Sequence, residues 1–218
     1  TSFKCDWSSD VCSSDLLGKR APVWWRFAAF GFAAALVFAL DMPLTIFVAA
    51  AGLGLLYKFP RQALLWGGLG AAGPLCLHAA LMVIITGSPI PVQTHRSYFL
   101  YESSPWRNPT GVDGLNEPKG AYLFHITFGR KGAFLMFPVL LTGVLGAAIA
   151  AIRRDTPLRG YILAGAAAFA ILTAYYVKST NNYGGGTYGF RWYLGAAPVV
   201  LLMGTPVYLR ARRVWHWA

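Results

Sequence analysis

The chain predicts an all-α, polytopic bundle of transmembrane helices, and three observations carry that prediction. Hydrophobic residues make up 56% of the 218 positions and charged ones 12%, against roughly 25% charged in soluble domains. Apolar runs of bilayer-crossing length recur along the sequence. Basic side chains collect at alternating ends of those runs, as they do at the cytoplasmic ends of membrane helices. Disorder is excluded by 15% aromatic content, and a disulfide scaffold by three cysteines in 218 residues. The expectation is about four full spans, a short broken helical hairpin before them, and an ordered extracytoplasmic loop.

Residues 1–16 are set aside. The run from Asp6 to Leu16, DWSSDVCSSDL, has no apolar stretch, no helical period and a composition unlike the rest of the chain. It resembles the translation of a common short-read sequencing adapter, so the expected native segment is 17–218, the C-terminal portion of one membrane domain whose natural start lies upstream. Without those sixteen residues the chain keeps 18 basic and 5 acidic side chains, a net charge of +13, and one cysteine, Cys76. That cysteine sits in an apolar run, where a small buried hydrophobe is the expected role.

The stretch from Phe27 to Tyr57 is 31 residues long, about 46 Å as one helix and too long for a hydrocarbon core of about 30 Å without strong tilt. Asp41-Met42-Pro43 interrupts it. An aspartate at mid-membrane costs about 2.5 to 3.5 kcal/mol, and a proline two residues on favours a fresh helix start, so the sequence predicts a turn and two short helices, Phe27 to Leu40 and Pro43 to Tyr57. Lys19, Arg20 and Arg26 before the stretch and Lys58 and Arg61 after it put both flanks on the cytoplasmic side, with Asp41 near the far face.

The four spans are read as about Gln62 to Ile85, Gly132 to Ile152, Gly160 to Val177 and Leu194 to Leu209. Alternating their direction returns the chain to Arg153, Arg154 and Arg159, and again to Arg210, Arg212 and Arg213. Two loops, about 86–131 and 178–193, are left outside. Eleven basic residues then lie inside and seven outside, so the positive charge requires no nucleic acid. Gly67, Gly70 and Gly73, Gly143 with Ala147, and Ala164 to Ala168 place small residues at helical spacing, which suits close helix packing. His78 is read as a core residue with a satisfied or interhelical hydrogen bond. No phosphate-binding lysine follows the glycines at 184–186, no zinc-protease pair is present, and His78, His95, His125 and His216 are unclustered. No metal site is expected.

The first outside loop carries Pro105, Pro109, Gly111, Gly114 and Pro118 and then a helical, aromatic stretch from Ala121 to Phe128. Nine aromatic residues between Tyr98 and Phe137 argue for an ordered cap. Trp106, Tyr122, Phe124 and Phe128 fit either a belt at headgroup level or the wall of a substrate groove. Asp113 and Glu117 could each orient a sugar hydroxyl or a metal, or be solvated or paired with Lys119. In the second loop, KSTNNYGGGTYGFRWYLGAAP, three consecutive glycines lie among Tyr183, Tyr188, Trp192 and Tyr193, and Arg191 follows. Glycine permits close backbone approach to a flat or phosphorylated group, and a guanidinium can bind phosphate bidentately or anchor to bulk headgroups.

At these residues NNYGGGTYGFRWYLGAAPVVLL resembles the YGGxxYGxR(Y/W)L stretch near the C-terminal end of bacterial GT-C-type membrane glycosyltransferases, relatives of the polyprenyl- and dolichyl-phosphate-mannose mannosyltransferases. NPTGVDGLNEP followed by YLFHITFGRKGAFLMFPVLL is similar to the pattern that precedes it there, with Lys131 in place of a histidine. The resemblance runs from about Pro91 to Val200. It implies a bacterial inner-membrane enzyme that moves a sugar from a polyprenyl-phosphate donor to an acceptor at the outer face, with inversion and a carboxylate as general base. The family's base lies on a loop that would precede Leu17, so the catalytic residue is unknown here and this stretch alone is expected to be inactive. Carried over residue by residue, donor contacts fall on Tyr183, Gly185, Tyr188 and Arg191, and with them His125. Asp41 occupies a place where the family carries a charged residue facing the cavity. The residues call for no cofactor, and a divalent cation in the longer parent stays open. Two other classes stay open as well: a transporter using the broken helix at Asp41, which would carry a second, inverted broken segment, and a noncatalytic membrane scaffold. Oligomeric state, acceptor and sugar are not legible.

Overall fold

The computed structural model describes residues 23–104, 107–108, 116–180, 182–183 and 191–215. Residues 1–16, which the sequence sets aside, lie outside them. The described residues form helices joined by turns and loops, with no strand among them.

The first apolar stretch breaks where its aspartate and proline predict. Helix α1, Trp24–Leu40, ends at Asp41; a 3₁₀ turn at Met42–Leu44 has Pro43 in its first turn; α2 then runs Thr45–Lys58. Pro60 starts α3, a continuous 27-residue helix to Thr86 that contains a π turn at Ala63–Gly67 and ends on Gly87, whose φ of 74° is the left-handed cap geometry glycine adopts without strain. Beyond it, 3₁₀ turns at Val92–Thr94 and Arg96–Phe99 and helix α4, Lys119–Thr127, belong to the first loop. Helix α5 is Leu141–Ile152, α6 Arg159–Ser179, α7 Ala197–Met203 and α8 Thr205–Trp215, with a 3₁₀ turn at Arg191–Ala196 leading into α7.

The four full spans expected are not found among the described residues. Two helices, α3 and the 21-residue α6, are long and apolar enough to cross a membrane; a third crossing arises only if Arg191–Met203 and Thr205–Ala211, bent by 47° at their junction, count as one. The stretch from Gly132 to Ile152 fails as a single helix because Pro138 cannot donate to the preceding turn. A one-turn helix, Ala133–Met136, ends at Phe137, and a 3₁₀ turn at Pro138–Leu140 restarts the chain into α5.

Small residues decide the packing. A side-chain carbon added at Gly31 would collide with the backbone of Gly67, and one at Gly70 with that of Ala28, so α1 and α3 cross almost backbone to backbone. Gly143 lies against Val200 and Gly146 against Met203, which sets α5 and α7 side by side and parallel. Gly73 faces open space, so only two of the three glycines in its series pack. The main core joins Ile126, Phe134, Leu140, Leu172, Ala196 and Val200, with Leu44, Ile46 and Phe47 of the first hairpin against it; α2 therefore rests on α6. Cys76 is exposed on α3. The expected buried role fails because α3 touches the rest of the molecule along one edge and leaves most of its apolar surface outward. His78 also departs from expectation: it meets the Phe38 ring edge-on at 6.0 Å, and its buried Nε2 has no hydrogen-bond partner.

Candidate functional site

The two loops meet at Tyr122 and Tyr183. In α4, Tyr122 and Ile126 stand one turn apart and face inward, at 2% and 0% exposure. The Tyr122 hydroxyl shares a 2.6 Å hydrogen bond with Thr180 Oγ1 and donates at 2.7 Å to the carbonyl of Asn182. Both partners belong to the chain just past α6, so α4 fixes the start of the second loop. Lys119 at the head of α4 adds a hydrogen bond from Nζ to the Thr180 carbonyl at 3.1 Å, where a cation also suits the negative end of α6.

Tyr183 completes the junction. Its ring stacks on Tyr122 with centroids 5.3 Å apart and planes 14° from parallel, and its hydroxyl donates to Glu117 Oε2 at 2.5 Å. Glu117 thus has a tyrosine partner supplied by the other loop. Burial, then the bond to Glu117 and that carboxylate's charge, push the Tyr183 phenol well above its ordinary range, with the Arg130 guanidinium opposing. Burial likewise raises Tyr122, against the bond from Thr180. Both phenols are held as hydrogen-bond donors. His125 lies edge-on to Tyr183 at 6.2 Å, and its Nδ1 accepts the Arg130 backbone N–H at 3.4 Å in the turn that closes α4.

A second aromatic layer seats the Arg191–Ala196 turn. Trp192 stacks on Tyr176 of α6 at 5.0 Å, and the buried Tyr193 packs on Phe169 at 5.0 Å while its hydroxyl donates to Thr173 Oγ1 at 2.9 Å. Arg191, at the head of this turn, is exposed. Asp41 stands at the break of the first hairpin, and Leu44, three residues on, fills the space left by the missing side chain of Gly195 in this turn.

Of the residues the sequence singles out, the structure brings Glu117, His125 and Tyr183 together and sets Asp41 and Arg191 near the same aromatic layer. Asp113, Gly185 and Tyr188 lie outside the described residues, as does Trp106. Phe124 and Phe128 are about half exposed, whereas Tyr122 is the buried anchor of both loops. Sequence reasoning missed Tyr122 in that role, together with Thr180, Asn182 and Arg130. The inward spacing of Tyr122 and Ile126 was the available signal. No His, Cys, Asp and Glu group able to hold a metal ion occurs among the described residues. A cavity of about 500 Å³ lies elsewhere, between α1, α2 and the first half of α3. Phe27, Phe38, Gly52 and Leu75 help to line it, and its wall includes the buried, unpaired Thr45 hydroxyl. No protein-family model, curated protein or solved structure matches the chain.

Proposed function

We propose that the chain is part of an integral membrane glycosyltransferase that takes a sugar from a polyprenyl-phosphate donor at the extracytoplasmic face. One observation supports this reading above the others: the Tyr183 hydroxyl on Glu117, beneath the Tyr122 stack, joins the two loop segments whose sequences carry the resemblance. Arg191, exposed beyond that junction, suits the donor phosphate, since its planar fork can hold two phosphate oxygens at once.

In the reaction the acceptor oxygen bonds to the anomeric carbon as the bond from that carbon to the phosphate oxygen breaks. The acceptor's proton passes to a carboxylate base, and the lipid phosphate leaves with the electron pair. Glu117 is assigned no part as base, because its Oε2 already accepts the Tyr183 hydroxyl. It serves as the anchor of the second loop.

Donor binding tests the reading without requiring turnover. The full chain in nanodiscs should retain a labelled polyprenyl-phosphate sugar. Arg191→Lys keeps the charge but loses the fork and should weaken binding by about 1 to 3 kcal/mol, with Arg191→Ala weaker still. Equal donor binding by all three proteins, or none by the wild type, would refute the proposal.

A further inference from the structure

We propose that the end of the molecule formed by the α5–α6 turn and α8 is a docking surface for anionic phospholipid headgroups. The inference shares with the proposed function only the premise that the chain lies in a membrane, and it concerns the opposite end from the loops. Helix α8 is turned out of the line of α7 by 47°, with Gly204 buried at the junction. Its root is fixed: Tyr208 and Thr142 of α5 share a hydrogen bond of 2.5 Å, and Thr205 Oγ1 bonds the Leu202 carbonyl at 2.6 Å. From that fixed root α8 leads away with Arg210, Arg212 and Arg213 in its sequence.

Because α5 and α7 run parallel, the same end also carries the residues just past α5. Arg153 and Arg154 are exposed there, and neither their guanidiniums nor that of the exposed Arg210 has a hydrogen-bond or ion-pair partner among the described residues. Arg159 differs, since its Nε donates to the Ala150 carbonyl at 2.8 Å and closes the end of α5. Asp155 is the one acid in this stretch of sequence.

The surroundings choose the partner. Ile152, 82% exposed, directly precedes Arg153, and Leu202, 60% exposed, lies just before the bend into α8. Outward apolar side chains at the level of unpaired guanidiniums match the boundary between acyl chains and phosphate, where arginine buries its stem and keeps its head at the charged layer. A nucleic acid would meet the cations but leave the adjoining apolar surface in water.

Native mass spectrometry of the full chain, released from nanodiscs of equal phosphatidylglycerol and phosphatidylcholine, reads the preference directly. Each arginine near an anionic surface contributes roughly a fivefold preference. The wild type should therefore retain phosphatidylglycerol in excess, and the triple change of Arg210, Arg212 and Arg213 to Gln should reduce that excess at least tenfold. The same three positions changed to Lys should keep most of it. Changing Lys58 and Arg61 to Gln, basic residues of the α2–α3 connection rather than of this surface, should reduce it clearly less than the triple change. If the Gln variant does not fold, the wild type still decides, because its excess should fall steeply as salt is raised. Equal retention of the two lipids, no loss in a folded Gln variant, an equal loss in the Lys58 and Arg61 control, or insensitivity to salt would each overturn the proposal. So would binding of a polyanion such as heparin at this end with no lipid preference.

Discussion

Tyr122 illustrates how one side chain can set the position of a loop sixty residues away. Its hydroxyl is the buried partner of both Thr180 and Asn182, while its ring supports Tyr183. Tyr122→Phe keeps the ring and removes both bonds, leaving the Asn182 carbonyl short of a donor in a buried place. Stability should fall by about 1 to 3 kcal/mol, measured as a lower unfolding midpoint in detergent. An unchanged midpoint would mean that the loop is held by something other than Tyr122. Tyr183 gives a prediction in pH. Its phenol is raised in the folded state, so the protonated form is favoured and its contribution is complete below the ordinary phenol value of about 10. That contribution is lost as pH climbs from there through the folded value. The stability difference between wild type and Tyr183→Phe should stay flat through neutral pH and shrink only in strong alkali. A difference already shrinking between pH 7 and 9 would contradict the assignment of Tyr183 as the donor to Glu117.

Among the helices, the close crossing of α1 and α3 rests on glycines whose partners can be named. Gly70→Ala sets a methyl group against the Ala28 backbone and should cost about 1 to 3 kcal/mol by overpacking. Gly73→Ala, one turn along and facing nothing, should be neutral or stabilise slightly, since alanine is the better helix former by about 1 kcal/mol. Equal effects in thermal unfolding would show that the crossing is not the determinant. This pair marks the limit of what the sequence discloses. Spacing identifies Gly67, Gly70 and Gly73 as small-residue candidates, but which of them meets a neighbour depends on how α1 is turned, and no local pattern records that. The break at Asp41 is legible because a carboxylate and a proline each oppose a continuous helix at that point. The break at Phe137 has the same cause in Pro138, which hydropathy alone conceals, since proline there leaves the apolar run uninterrupted. At the site, Tyr183 and Glu117 are legible as loop residues of interest, yet their bond spans 66 positions. Arg130, whose charge opposes the rise of the Tyr183 phenol, is brought there by the turn after α4, a placing that no spacing in the sequence records.

For the whole molecule, the parallel course of α5 and α7, with α6 packed against both, separates two unlike ends. One carries Arg153, Arg154 and Arg159 and leads into the arginines of α8. The other carries Glu117, Tyr122 and Tyr183, with the Arg191 turn and the Asp41 hairpin beside them. Membrane insertion retains clustered basic residues on the cytoplasmic side, so the loop end should be the translocated one. Single-cysteine labelling in a background without Cys5, Cys12 and Cys76 tests this. Ser103 and Asp155 are both exposed, one in the first loop and the other at the arginine-rich turn, so a thiol at either position is open to reagent. Ser103→Cys should react with an impermeant maleimide in intact spheroplasts, and Asp155→Cys only after the membrane is opened. The reverse pattern would carry Arg191 and the tyrosine junction to the cytoplasmic face, away from any extracytoplasmic donor. The glycosyl-transfer reading would then fall, even though every hydrogen bond that joins the loops remained in place.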